Sequence, residues 1–199
     1  MIPNDEHLAW IDFETGGLCG ASHMDDSRIP EGSDGARHYA ILEIGVHVTD
    51  ANLNIIDPGL QIIIYHDQKS LDERVGDWSR EQFKNTLMIE CQNTNHPTLQ
   101  DAERMVIDYL ESHGVVEGKS PLCGNSIYLD RRFIETQMPA LNRFLHYRQL
   151  DVSSVAEMVS RWYPQVRQAM PEKNGNHEAL GDIRESIKEL SYYREHCFV

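Results

Sequence analysis

The sequence predicts an α/β domain with a mixed sheet, because strand-like segments come first and strands alternate with helices afterwards. Residues 8–15, 40–50 and 60–65 are rich in β-branched and aromatic side chains and are bounded by Gly, Asn, Asp or Pro, so each is predicted to be a strand. Residues 99–114 have apolar side chains at helical spacing and end at a glycine, Gly114, which predicts a helix. The face of that helix expected in the core consists of Ala102, Met105, Val106, Tyr109 and Leu110.

The second half of the chain is predicted to add two strands and three helices. The strands are expected at 120–126 and 145–153, which gives five in total. The helices are expected at 129–141, at 153–164 with an end near Pro164, and at 177–196. In the last helix the apolar stripe consists of Leu180, Ile183, Ile187 and Leu190. Residues 19–38 and 167–176 are rich in Gly, Ser, Asp, Asn or Pro and are expected to be irregular, the first as a loop insertion.

Composition and charge limit the class of protein. With 199 residues, of which 40% are hydrophobic, residues 1–199 are expected to form a single domain. The net charge of −14 argues against broad binding along long nucleic acids, which needs many Lys and Arg residues, but it is compatible with a short anionic substrate held by metal ions. Four scattered cysteines and no signal or membrane-spanning segment predict a soluble cytoplasmic protein, while a mitochondrial pool stays open.

Two carboxylates lie in the first predicted strand. Asp12 and Glu14 are two residues apart, so in a strand they project to the same side. Two unit charges about 4 Å apart repel by roughly 4 kcal/mol at an effective dielectric near 20, and protonation or a bound cation relieves that repulsion. A hard divalent cation is the natural partner, and an edge-strand pair that faces water is the simpler alternative.

Three more candidate residues, which lie much later in the chain, extend this set. Asp130 follows a Gly-Asn-Ser turn near the start of a predicted helix, and His177 and Asp182 are five residues apart. Five residues span about 140° beyond a full turn of a helix, so His177 is expected to precede the helix that carries Asp182. Taken singly, Asp130 could be an acid favoured by the helix dipole, Asp182 a solvated helix residue and His177 a hydrogen-bonded loop residue.

In their order, these five residues resemble the DEDDh set of 3′-to-5′ exonucleases, and the wider sequence resembles the oligoribonuclease family. The segments that carry the resemblance are VTDANLNI (48–55), GKSPLCGNS (118–126), DRRF (130–133), HYRQLDVSS (146–154) and DIRESIKELSYYREH (182–196). The resemblance implies an RNase H-like fold, a homodimer and two divalent cations, Mg²⁺ or Mn²⁺. It further implies removal of nucleotides from the 3′ end of very short RNA, dinucleotides in particular, to give nucleoside 5′-monophosphates.

The resemblance also implies roles for single residues. Those that would hold the metals are Asp12, Glu14, Asp130 and Asp182, and His177 would take the proton from the attacking water. Leu18 and Trp78 match positions that pack against the bases. The group that caps the 5′ phosphate is matched by Ser126, Tyr147, Arg148 and Ser153, with the tyrosine reaching across from the partner subunit.

Simpler interpretations of these residues stay open at this point. Trp78 could be a core residue, Ser153 or Ser154 could cap the next helix, the latter with Glu157, and Arg148 could pair with a surface acid.

Several positions depart from the family pattern. The insertion at 19–38 is longer than usual; its His23, Asp25, Asp26 and His38 could suggest an extra metal site, although their irregular spacing favours a surface loop. Gly181 stands next to Asp182 where an acid is usual, Phe83 stands where a histidine is common, and the YLD residues before and at Asp130 differ. Two other functions therefore stay open, namely trimming of longer RNA or single-stranded DNA 3′ ends and binding of short nucleotides by an inactive relative.

Overall fold

A five-stranded mixed sheet lies at the centre of the computed structural model, which describes residues 2–18, 34–171 and 178–198. The strands are β1 (Leu8–Thr15), β2 (Ile41–Thr49), β3 (Leu60–Ile63), β4 (Leu122–Gly124) and β5 (Gln149–Asp151). Their order in the sheet is β3-β2-β1-β4-β5. β2 pairs antiparallel with β1 and β3, whereas β4 pairs parallel with β1 and β5. The predicted mixed sheet of five strands is confirmed.

Helices flank this sheet and connect its strands. Before β4 they are α1 (Gly35–His38), α2 (Gln68–Arg74), α3 (Asp77–Gln82), α4 (Leu87–Glu90) and α5 (Leu99–Ser112). After β4 they are α6 (Tyr128–Gln137), α7 (Pro139–Phe144), α8 (Val152–Trp162), α9 (Pro164–Gln168) and α10 (Ala179–Cys197). No helix in these three ranges has both the length and the apolar composition needed to cross a membrane.

The two faces of the sheet pack against different helices, and β1 contributes to both. Ile11 and Phe13 face one side, where they join a buried cluster that includes Val106 of α5 and Phe133 of α6. Trp10 faces the other side and packs with side chains of α8 and α10. Because side chains alternate along a strand, Asp12 and Glu14 point to the same side as Trp10, toward α10.

One predicted helix is two helices in the structure. The single helix expected over 129–141 is wrong, because α6 ends at Gln137 and Pro139 starts α7 as its first residue. Proline lacks a backbone N–H and its ring clashes with the preceding turn, so it suits the first position of a helix rather than the interior.

The insertion and the α8 region also differ from expectation. Residues 35–38 form α1 inside the segment expected to be irregular, while 19–33 lie outside the described residues. The segment after Pro164 continues as α9 rather than as loop, and 172–176 are likewise outside the described ranges.

The buried face of α5 contains a carboxylate that the apolar pattern did not predict. Met105 is exposed, whereas Glu103 is buried. Glu103 Oε1 accepts the backbone N–H groups of Ala140 and Leu141, at 2.6 and 3.0 Å. Its charge therefore caps the start of α7, where N–H groups lack helical partners.

Candidate active site

Three carboxylates from two elements meet beside β1. Asp12 and Glu14 project from the strand, and Asp182 lies in the first turn of α10. One carboxylate oxygen of each residue lies within 4.8 Å of the others, which is close enough for a shared cation. β1 supplies two of these ligands through its period of two, and α10 supplies the third by packing on the same face.

A glycine of β2 allows α10 to approach this closely. Gly45 is the register partner of Asp12, and a Cβ at Gly45 would lie 2.8 Å from both the carbonyl carbon and the Cβ of Ala179. A side chain at position 45 would therefore push the start of α10 away from the sheet. A role for Gly45 was not predicted, although an isolated glycine in a strand indicates a close backbone approach.

Asp130 packs against the same strand from α6. Its Oδ1 accepts the backbone N–H of Phe13 at 3.1 Å, so the carboxylate is held between Asp12 and Glu14 along β1. β4 pairs with β1 at Ala9 and Trp10, and beyond them Asp130 occupies that edge of the strand. This contact explains why a buried carboxylate lies in the first turn of α6.

Burial and mutual repulsion raise the pKa values of these carboxyl groups. Burial first, and then the charges of Glu14, Asp182 and Glu43, raise the pKa of Asp12 to about 8. Burial first, and then the charges of Asp182, Glu43 and Asp130, raise the pKa of Glu14 to about 7. Burial and the charge of Asp12 raise the pKa of Asp130 well above its ordinary value. Several carboxylates in a small, partly dry volume suit a hard divalent cation, so the donor set fits such a metal.

A further buried carboxylate adjoins the cluster. Glu43 of β2 is the register partner of Glu14, is buried, and accepts a hydrogen bond from the side-chain amide of Gln61. Burial raises its pKa, and the charges of Glu178 and Asp182 add to the effect. The local pattern did not predict a role for Glu43; the available signal was a single acid inside the largely apolar strand ILEIGVHVT.

Two large apolar side chains are exposed near the end of β1. The N–H of Gly76 donates to the carbonyl of Gly16 at 2.6 Å, which ties the strand end to the start of α3. Leu18 and Trp78 each follow this bonded pair by two residues and are 48% and 66% exposed. The interpretation of Trp78 as a core residue is therefore wrong.

Two serines meet where β4 and β5 end. Gly124 and Asp151 are register partners, and each is followed two residues later by a serine. The N–H of Ser126 donates to Ser153 Oγ at 2.8 Å, and the two hydroxyl oxygens are 3.2 Å apart. Ser126 adopts the left-handed region, with φ of 48°, which is strained for a residue with a side chain.

Neither Ser153 nor Ser154 caps α8, so the interpretation of these two serines as helix caps is wrong. The cap of α8 is Asp151, whose carboxylate accepts the N–H of Ser153 at 3.2 Å. Ser154 donates its hydroxyl to Asp151 at 2.5 Å rather than accepting a backbone N–H.

Tyr147 and Arg148 lie just before β5 and contact each other. Arg148 Nε donates to the Tyr147 hydroxyl at 3.2 Å, and its guanidinium lies 5.5 Å from the centre of the ring. Tyr147 is 73% exposed. Within the described ranges Arg148 has no ion pair with an acid, so the expected surface pair is not found there.

Known proteins resemble this chain along almost its whole length. The family model RNase_T, described as Exonuclease, matches residues 9–190. The oligoribonuclease of Streptomyces coelicolor is 42% identical over 195 residues, which cover 98% of this chain and 88% of the relative. That of Photobacterium profundum is 39% identical over 198 residues, which cover 100% and 99%.

The chain belongs to the oligoribonuclease family. It is a hydrolase of the exonuclease class.

Solved structures agree on the fold. The nuclease domain of 3′hExo, a DEDDh family member bound to rAMP, superposes with a TM-score of 0.63 at 14% identity and covers 96% of this chain and 93% of that one. E. coli exonuclease I in its complex with single-stranded DNA gives 0.70 at 10% identity and covers 98% of this chain and 41% of that one. The RNase H-like fold predicted for this oligoribonuclease family member is thus confirmed.

The remaining predicted residues of this oligoribonuclease family member fall into two groups. His177, and with it the expected base, lies outside the described residues, as do His23, Asp25 and Asp26 of the suggested extra metal site. His38 lies in the last turn of α1. Phe83, which stands where a histidine is common, is buried in a core cluster between β2 and the helices α2 and α4.

Proposed function

We propose that this chain is a metal-dependent 3′-to-5′ exoribonuclease that degrades very short RNA, dinucleotides in particular, to nucleoside 5′-monophosphates. The observation that carries the proposal is the convergence of Asp12, Glu14 and Asp182 within 4.8 Å. Asp130 of α6 adds a fourth carboxylate, which is hydrogen-bonded to the backbone of β1. Membership of the oligoribonuclease family directs the proposal toward short RNA.

The acidic cluster fits two divalent cations, Mg²⁺ or Mn²⁺, because its donors are carboxylate oxygens. The residues that would hold them are Asp12, Glu14, Asp130 and Asp182. When bound, such cations stabilise charge on the phosphate oxygens and lower the pKa of a water ligand. The hydrogen bond from the Phe13 N–H keeps the carboxylate of Asp130 aimed along β1, so this ligand is oriented before a cation arrives.

His177 is the proposed general base. It precedes α10, whose first turn carries Asp182. An unprotonated ring nitrogen of His177 would accept the proton of the attacking water, because the unperturbed pKa of histidine lies near neutrality. Such assistance is worth about 10²- to 10⁴-fold in rate.

Two groups of side chains are proposed to bind the ends of the substrate. Leu18 and Trp78 would pack against the bases, and base stacking on an aromatic ring contributes about 1–3 kcal/mol per base. At the other end Ser126, Tyr147, Arg148 and Ser153 would cap the 5′ phosphate. The planar guanidinium of Arg148 can bind a phosphate through two parallel N–H donors. A capped 5′ end leaves no room for upstream nucleotides, which explains a preference for very short substrates.

We further propose a homodimer in which Tyr147 reaches the site of the partner subunit. Tyr147 and Trp162 are 73% and 67% exposed, and Tyr163 is exposed as well. Exposed aromatic side chains are enriched at protein–protein contacts, which supports this proposal. We also keep the cytoplasm as the proposed compartment, in agreement with the free thiols of Cys91, Cys123 and Cys197.

The test offers a labelled ribodinucleotide and a longer labelled oligoribonucleotide side by side, with Mg²⁺, Mn²⁺ or a chelator. We expect metal-dependent conversion of the dinucleotide to mononucleotides, at a higher rate than the longer substrate. Asp12→Ala should abolish the reaction, whereas Asp108→Ala, which removes an exposed acid of α5, should not. Preference for the longer RNA would favour 3′-end trimming, and binding without cleavage would favour an inactive relative.

A further inference from the structure

Asn125 lies between the paired serines and helix α10 and makes hydrogen bonds to both. Ser153 Oγ donates to Asn125 Oδ1 at 3.1 Å. Asn125 Nδ2 donates to Ser186 Oγ at 2.7 Å, and Ser186 Oγ in turn donates to the backbone carbonyl of Asp182 at 2.8 Å. A continuous chain of hydrogen bonds therefore joins Ser153 to the residue whose carboxylate lies in the acidic cluster.

We propose that Asn125 is a positioning residue that fixes the distance between the paired serines and the acidic cluster, and thereby sets the substrate length that is cleaved fastest. This inference rests on the proposed function, because it takes the serines as the 5′-phosphate site and the acids as the site of cleavage.

The orientation of the Asn125 amide follows from its partners. Its Nδ2 also lies 3.3 Å from Glu189 Oε2, and a carboxylate accepts hydrogen bonds. The hydroxyl proton of Ser186 is already donated to Asp182, so Ser186 accepts from Asn125. The amide nitrogen must therefore face α10, and the amide oxygen must face Ser153.

Glu189 gives Asn125 a rigid support. Its side chain is 3% exposed and accepts the Tyr193 hydroxyl at 2.7 Å and Arg167 Nη1 at 3.3 Å. Tyr193 is fully buried, and Arg167 comes from α9. Buried groups that are fully hydrogen-bonded have few alternative arrangements, so this support holds Asn125 in one place.

The amide of Asn125 also determines how the serines are arranged. Because Ser153 donates its proton to Asn125, the hydroxyl of Ser126 must be the donor in the contact between the two serines. Ser153 Oγ then accepts both the N–H and the O–H of Ser126, and the Ser126 hydroxyl is the one that would turn to donate to a 5′ phosphate. These hydrogen bonds hold Ser126 in its left-handed conformation. That conformation is strained because serine, unlike glycine, has a Cβ.

A dinucleotide must place its 5′ phosphate at the serines while its phosphodiester lies at the acids. Both ends of that path belong to the hydrogen-bonded unit centred on Asn125. If Asn125 is removed, Ser153 and Ser126 lose their fixed position relative to Asp182, and the spacing that matches a dinucleotide is lost. A longer oligonucleotide, which does not use the cap, is insensitive to that spacing.

The experiment compares the wild-type enzyme with Asn125→Ala in Mn²⁺ on three substrates. These are a 5′-phosphorylated ribodinucleotide, a 5′-phosphorylated hexanucleotide and the p-nitrophenyl ester of a nucleoside 5′-monophosphate, which is too short to reach the serines. We expect KM for the dinucleotide to rise about tenfold, the effect of one hydrogen bond of ordinary net strength, with a smaller change in kcat. Cleavage of the hexanucleotide and of the ester should change less than about twofold, so the preference for the dinucleotide over the hexanucleotide falls about tenfold.

Two further variants separate positioning from folding. Ser186→Ala removes the hydrogen bonds of its hydroxyl with Asn125 and with the backbone carbonyl of Asp182 but leaves the paired serines and the acidic side chains unchanged, and it should lower the same preference by about threefold or more. If Asn125→Ala does not fold, Ser186→Ala alone tests the inference. Asn142→Ala is the matched control, since this half-buried amide lies in α7 and its Oδ1 has no hydrogen-bond partner within the described ranges; the preference should stay unchanged.

Two results would overturn the inference. One is an unchanged length preference in Ser186→Ala and in folded Asn125→Ala, and the other is an equal loss on all three substrates, which indicates a merely structural role. Neither result affects the proposed function. That function fails instead if the wild-type enzyme itself does not prefer the dinucleotide.

Discussion

Neutralising one acid of the cluster should stabilise the protein in the absence of metal while abolishing its activity. The variant is Asp182→Asn, which keeps the shape of the side chain and removes one negative charge. In the metal-free protein Asp182 raises the pKa values of Asp12 and Glu14, so the three carboxylates repel one another. Removing the charge of Asp182 relieves that repulsion.

The geometry gives the size of the effect. At 4.8 Å, two unit charges repel by roughly 3.5 kcal/mol at an effective dielectric near 20. Asp12 and Glu14, with pKa values of about 8 and about 7, are only partly ionised at pH 8, and Asp182 is half exposed to screening solvent. Its charge also interacts favourably with the start of α10, by about 0.3–1 kcal/mol. We therefore expect a net gain of about 1–2 kcal/mol, which corresponds to about 2–8 °C in Tm for a chain of this length.

The gain should depend on pH in a definite direction. The folded-state pKa values of Asp12 and Glu14 lie above their ordinary values of 3.8 and 4.5, so the folded state resists their ionisation. The resulting loss of stability is absent below those ordinary values and reaches its full size once the pH exceeds the folded pKa values, where both groups are ionised beside Asp182. The Asp182→Asn gain should accordingly be largest near pH 8 and fall below about 0.5 kcal/mol near pH 5.

Thermal melts in chelator and in Mn²⁺ measure both effects. Wild type should gain about 2.7 kcal/mol when Mn²⁺ reaches a hundred times its Kd, whereas the variant should gain much less because a ligand is missing. Glu195→Gln removes the same charge from an exposed position of α10 and should change little. A variant that is less stable than wild type in chelator at pH 8, or equally stabilised at pH 5 and pH 8, would refute the repulsion argument.

Three other substitutions test separate parts of the site. Gly45→Ala should cost about 1–3 kcal/mol in denaturant melts and lower kcat more than tenfold, because the new methyl group displaces α10; Gly181→Ala, with its nearest neighbour at 3.7 Å, should cost no stability. Arg148→Lys keeps the charge but loses the planar fork, so KM should rise about tenfold for a 5′-phosphorylated dinucleotide and stay unchanged without that phosphate; equal changes would count against the cap. His177→Ala should lower kcat about 10²- to 10⁴-fold while calorimetric Mn²⁺ affinity stays within about threefold, and a parallel loss of affinity would contradict its role as a base.

The sequence was informative wherever a short period determines the outcome. The period of two in β1 placed Asp12 and Glu14 on one side, and the apolar spacing from residue 99 gave α5 with a left-handed glycine, Gly114, after its end. The position of Asp182 near Asp12 and Glu14 could not be predicted from a local period. It depends on packing between α10 and β1, which are far apart in the chain, so only the resemblance to the oligoribonuclease family suggested it.

Features that depend on tertiary contacts were not predictable from local pattern. Helices α2, α3 and α4 have four to seven residues each, too few to show an apolar period. The end of α6 before Pro139 was hidden because apolar spacing continues across the break. Glu103 and Asn125 were missed because polar residues reveal a buried role only once their partners are known, here the start of α7 and helix α10.

The distribution of the acids over separate elements links metal binding to tertiary structure. Asp12 and Glu14 belong to β1, Asp130 to α6 and Asp182 to α10, so their mutual repulsion opposes the packing of three elements rather than the folding of one. Cations that neutralise the cluster therefore stabilise the contacts between these elements. The same neutralisation is required before an RNA phosphate can approach, because a chain with a net charge of −14 and four converging carboxylates repels anions. We accordingly expect metal binding to precede productive substrate binding.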